Sequence, residues 1–209
     1  MRARPGRIAT LGTLLAFALV VGARAETIVC LGDSLTEGFG VAPERAWPSL
    51  LEQRLREAGH EDVRVINAGI SGSTTASALS RLRWQLRSRP DILLLALGAN
   101  DGLRGLDLDA TEKNLSAAIA LAKAEGVEVV LAGMKLPPNY GPDYTERFEA
   151  LFPALAQRYE IALIPFLLDG VAAKPDLNLA DGIHPNAEGY ERVVLNVLEV
   201  VLPLLSDGS

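Results

Sequence analysis

A chain of 209 residues, 49% hydrophobic and 22% charged, can fill one core and is too short for two full domains. Its formal net charge of −6 argues against nucleic acid and anionic membrane surfaces as partners. The single cysteine, Cys30, excludes an internal disulfide, and no cysteine or histidine cluster points to a structural metal.

In chain order, residues 1–25 read as a leader and 26–209 as the domain. Arg2, Arg4 and Arg7 precede an apolar run from 8 to 21 that closes on Ala23-Arg24-Ala25, the three-part pattern of a cleaved export signal. The apolar stretch from 11 to 21, weakened by Gly12 and Thr13, falls short of the ~20 residues that span a bilayer. The mature protein is therefore expected to begin at Glu26, after cleavage at Ala25/Glu26, to be periplasmic or secreted, and to keep no stable membrane anchor. All four arginines of the leader are lost with it and no acid is, so the mature chain is more acidic still.

Beyond the leader, β-branched apolar runs at 27–31, 63–67, 92–97, 127–132 and 161–164 read as strands. Between and after them, helical patterns occupy 47–58, 75–86, 111–124, 144–159 and 186–202. Such alternation predicts an α/β fold, a three-layer α/β/α sandwich around a five-stranded parallel sheet. The run Ile92-Leu-Leu-Leu-Ala-Leu97 suits a strand buried on both faces. Cys30 falls inside the first strand and reads as a small core residue.

In an open parallel sheet, ligands bind beyond the carboxyl ends of the strands. The segments there are Gly32-Asp-Ser-Leu-Thr-Glu-Gly38, Asn67-Ala-Gly-Ile-Ser-Gly72, Gly98-Ala-Asn-Asp-Gly102 and Asp181-Gly-Ile-His-Pro185. A serine becomes a nucleophile when a nearby base takes its proton, and imidazole does so at neutral pH. His60 lies in a polar turn at the opposite edge and reads as a surface residue. His184 shares the edge with Ser34. Asp181, three residues earlier, can reach the imidazole and orient it, although each residue alone also reads as an ordinary turn or cap. An oxyanion needs converging donors, and the N–H groups of Ser34 and Gly72 with the Asn100 amide are the candidates.

Two further segments suggest a place for an acyl chain. Gly102-Leu-Arg-Gly-Leu106 sets two glycines around Leu103 and can move as a flap. Leu136, Pro137 and Tyr140, with Met134, follow the fourth strand. Together the two loops are expected to line an apolar groove, unless the leucines simply pack into the core.

The four blocks together resemble the SGNH, or GDSL, hydrolase superfamily: Gly32-Asp-Ser-Leu35, Gly72, Gly98-Ala-Asn-Asp101 and Asp181-Gly-Ile-His184, in that order. Longer stretches, Ala46-Trp-Pro-Ser-Leu50, Leu136-Pro-Pro-Asn-Tyr-Gly141 and Asp181-Gly-Ile-His-Pro-Asn186, look like its periplasmic thioesterase, lysophospholipase and arylesterase branch. The resemblance implies a flavodoxin-like strand order, no cofactor, and a serine hydrolase of small-molecule acyl esters or thioesters: aryl esters, lysophospholipids or acyl-CoA-like thioesters. Ala99 departs from that branch, which often has Gly there, and its methyl narrows the site beside Asn100. Alternatives are a carbohydrate O-acetyl esterase using the same residues, or a non-catalytic periplasmic binding module on the same fold. A phosphate-binding domain is disfavoured because Gly32-Asp-Ser-Leu35 lacks both a Gly-x-Gly-x-x-Gly pattern and a P-loop lysine. The oligomeric state stays open, with a monomer as the default.

Overall fold

The computed structural model describes residues 26–205, so the predicted leader at 1–25 and the C-terminal 206–209 lie outside the described residues. Five strands form one wholly parallel sheet: β1 (Thr27–Gly32), β2 (Arg64–Gly69), β3 (Ile92–Ala96), β4 (Glu128–Ala132) and β5 (Ala162–Ile164). Their order is β2-β1-β3-β4-β5, the flavodoxin-like arrangement that the resemblance implied. Every residue of β3 is buried, as a central strand covered on both faces requires, whereas the edge strand β2 exposes Arg64 and Asn67.

Seven helices complete the fold: α1 (Ser34–Glu37), α2 (Trp47–Glu57), α3 (Ala78–Gln85), α4 (Ala99–Leu103), α5 (Leu108–Ala124), α6 (Pro142–Tyr159) and α7 (Ala187–Val201). Five of them are the predicted helices with shifted ends. α5 begins earlier than expected because the Asp107 side chain accepts from Asp109 N and caps it. α6 begins at Pro142, whose fixed φ suits a first turn where no N–H is needed. α3 begins later, since Thr75–Ser77 winds as a tighter 3-10 turn. The two additional helices, α1 and α4, are single turns. α2 and α7 pack on one face of the sheet, and α3, α5 and α6 on the other. Trp47, Phe148, Phe152 and Tyr190 are the largest fully buried side chains between these layers.

The chain leaves β1 toward one side of the sheet and β3 toward the other. A crevice therefore opens between their carboxyl ends, where Gly32 pairs with Ala96. α1 and α4 start directly beyond those ends and deliver Ser34 and Asn100 into it.

Candidate active site

Ser34 is the first residue of α1, and His184 Nε2 lies 2.9 Å from its Oγ. On the far side of the ring, His184 Nδ1 is 2.7 Å from Asp181 Oδ2. In the tautomer that donates from Nδ1 to Asp181, the Nε2 lone pair points at the serine. Asp181 Oδ1 accepts from the N–H of His184 and of Ile183, at 3.0 and 2.9 Å. These backbone donors hold the Asp181 carboxyl down at about 2, so it stays charged into strong acid. The turn itself is pinned: Leu179 N donates to His184 O at 2.8 Å, and Asn186 N to Leu177 O at 3.0 Å. Phe39 packs its ring against the imidazole, 4.6 Å between centroids. His60 stands apart, in the turn before β2.

Asp33 joins β1 to Ser34 and caps α1, with Oδ1 accepting from Leu35 N at 3.0 Å. It is only 1% exposed. Burial pushes its carboxyl up to about 6, against the opposing pull of the Leu35 N–H, of the nearby His184 and of the Arg81 guanidinium. Arg81, from α3, donates to the strand-end carbonyls of Gly32, at 2.9 Å, and Ala68.

Asn100 Nδ2 is 3.1 Å from Ser73 O and 3.3 Å from Asp33 Oδ2, so both amide hydrogens have acceptors. Among the described residues, no protein acceptor takes the N–H of Ser34 or of Gly72. Gly72 sits at φ +75, a conformation that L side chains avoid. Asn100 thus contacts the chain neighbours of both, Asp33 beside Ser34 and Ser73 beside Gly72, and Ser34, Gly72 and Asn100 line one cavity.

Three side chains of the α4 segment hold the Gly72 loop. Besides Asn100, the buried Asp101 accepts from Thr75 N at 2.9 Å and from Thr75 Oγ1 at 2.6 Å, and Arg104 donates to Gly72 O at 3.0 Å. From the other side, Glu37 accepts from the N–H and the hydroxyl of Ser71. Donors on separate loops are thereby set relative to one another before any substrate arrives.

A cavity of about 600 Å³ opens beside Ser34. Its wall is apolar: Leu103 from α4, Leu136 and Pro137 from the segment after β4, and Phe166 and Leu168 from the segment after β5. A serine, histidine and aspartate in hydrogen-bonded series beside such a cavity have the parts that acyl transfer uses.

Comparison with known proteins agrees with that chemistry. Residues 30–192 match the GDSL-like Lipase/Acylhydrolase family. The chain belongs to this family. It is 43% identical to an arylesterase of Vibrio mimicus over 87% of this chain and 91% of that one. It is 37% identical to thioesterase 1/protease 1/lysophospholipase L1 of Escherichia coli K12, over 90% and 88%. A crystal structure of TesA superimposes with a TM-score of 0.83 at 41% identity, covering 86% of this chain and all of that one. The GDSL fold expected from the four blocks is the fold observed, and the chain is an ester hydrolase.

Within this acylhydrolase, the wall differs in part from the expectation. Leu103, Leu136 and Pro137 line the cavity; Tyr140 does not, and its hydroxyl donates to Leu103 O at 2.8 Å. Tyr140 is therefore a tether on α4 rather than a wall residue. Gly102 is no exposed hinge: it is buried, and a Cβ there would meet Leu136 and Phe148 at 2.8 Å. Ala99 is buried at the cavity edge, where the departure from Gly placed it. Phe166 and Leu168 escaped the sequence reading because Phe166-Leu-Leu168, following β5 after only Pro165, reads as further core rather than as a site segment. The role of Phe39 also escaped it, since a lone aromatic in a glycine-rich turn has no periodic signal.

Proposed function

We propose that this hydrolase acts through Ser34 as nucleophile, His184 as general base and Asp181 as the group that orients the base, on medium-length acyl esters and thioesters such as aryl esters, lysophospholipids and acyl-CoA-like thioesters. The observation that carries the reading is the unbroken contact from Ser34 Oγ to His184 Nε2 and from Nδ1 to Asp181, opening on an apolar cavity. Ser34 Oγ attacks the acyl carbon as its proton passes to Nε2. The oxyanion takes hydrogen bonds from Ser34 N, Gly72 N and Asn100 Nδ2. Collapse expels the alcohol or thiol, which takes the proton from His184. Water, deprotonated by His184, then attacks the acyl carbon and releases the acid and Ser34.

The cavity favours an acyl chain over an acetyl group, because an acetyl ester would leave most of its apolar wall in water. The leader pattern supports an exported enzyme consisting of residues 26–209, and among the described residues no helix is long and apolar enough to cross a membrane. The test is a series of p-nitrophenyl and acyl-thioester substrates from acetyl to octanoyl, with fluorophosphonate labelling of Ser34. Labelling at one equivalent and kcat/KM rising with chain length support the reading. An unlabelled Ser34 points to a binding module, and a flat or falling series to a deacetylase.

A further inference from the structure

Asn100 presents a choice that its neighbours must make for it. A side-chain amide has a donating and an accepting end of nearly the same shape, and only the donating end helps an oxyanion. Both groups within reach of Nδ2, Asp33 Oδ2 and Ser73 O, are pure acceptors while Asp33 is ionised. We propose that Asp33 is a positioning residue of the oxyanion site, its carboxylate and the Ser73 carbonyl together selecting the amide orientation that turns nitrogen, not oxygen, toward the space between Ser34 and Gly72. In the flipped orientation, Asn100 Oδ1 would oppose two acceptors in the resting state and the oxyanion in the transition state.

The 3.3 Å contact to Asp33 is the longer of the two, so its hydrogen is the one an arriving oxyanion shares. A protonated Asp33 loses the selection, because its O–H can donate to the flipped amide oxygen. The groups that face this carboxyl are His184 from the loop before α7, Arg81 from α3 and Tyr190 from α7. Burial raises the Asp33 carboxyl to about 6, which brings the loss into an accessible pH range.

Asp33→Asn is the direct test, because asparagine keeps an acceptor for Leu35 N and so keeps the α1 cap, yet can donate to Asn100. Expected is a fall in kcat of about 10- to 10²-fold with KM nearly constant, somewhat less than the loss of a whole oxyanion donor. In an Asn100→Ala background the same substitution should cost no more than roughly threefold, since Asp33 then has nothing to orient. A purely structural role would give equal losses in both backgrounds, and that result overturns the proposal. The pH profile is the second arm: the acid limb of wild-type kcat/KM should contain two ionisations, one near 6 that disappears in Asp33→Asn. A limb of one ionisation in the wild type overturns it as well. The inference rests on the reading of Ser34 as nucleophile, and the two fail differently. An active Ser34→Ala undoes that reading, whereas an inactive Ser34→Ala beside an unimpaired Asp33→Asn overturns only the role of Asp33.

Discussion

Asp181 and Asp33 stand on opposite sides of the Ser34–His184 pair, and their surroundings pull them apart. Asp181 lies in an open turn where two backbone N–H groups and the imidazole all favour its charged form. Asp33 lies buried at the start of α1, where the Leu35 N–H, a long amide contact and the nearby His184 and Arg81 are together too little to offset its burial. The carboxylate proposed to support a developing imidazolium thus keeps its charge in acid. The one behind the proposed oxyanion donor is held where burial opposes its ionisation.

The largest effect expected is at the pair itself: Ser34→Ala and His184→Ala should each lower kcat by about 10⁴-fold or more, and the double variant should be little worse, because the two act as a unit. Additive losses in steady-state kinetics would contradict that. Asp181→Asn should lower kcat by roughly 10³-fold through the wrong tautomer. Since the Asp181 carboxyl sits at about 2, well below its ordinary range, it is neutralised only in strong acid and should contribute nothing to the acid limb above about pH 4. An acid limb that vanished in Asp181→Asn would reverse the assignment of the two aspartates.

The comparison also makes a prediction for stability. The folded value of Asp33, about 6, lies above the ordinary 3.8, so ionising it destabilises the folded chain. Asp33→Asn should raise the unfolding free energy at pH 7 by up to about 3 kcal/mol. That gain should shrink as pH falls from about 6 to about 4 and be absent below, which urea unfolding across this range would reveal. A variant that is more stable yet slower would mark Asp33 as kept for chemistry. Smallest is the effect at the wall: Leu136→Ser should flatten the rise of kcat/KM with acyl length, by at most ~0.8 kcal/mol per methylene, and leave acetyl turnover nearly intact. An undiminished rise would move the acyl chain elsewhere.

Much of this was legible from residue patterns. The strands announced themselves as apolar runs, and the position of each block after a strand brought Ser34, Gly72, Asn100 and His184 to one edge. α1 and α4 did not announce themselves, because helices of four and five residues are too short for periodicity to show. Asp33 gave no sign of its place behind Asn100, since its partner lies 67 residues away and only the crevice between β1 and β3 joins them. Asp101 was hidden in the same way, its tie to Thr75 crossing from one loop to another.

The missing side chain at position 102 leaves α4 resting directly on Leu136. Leu136 also lines the cavity, so the wall proposed to receive a substrate tail touches the same short turn that carries Asn100. In the proposed mechanism, one side chain thus stands between the tail of the substrate and the turn that carries Asn100. Length preference is then expected in kcat and not only in KM, which a chain-length series of initial rates at saturating substrate would check.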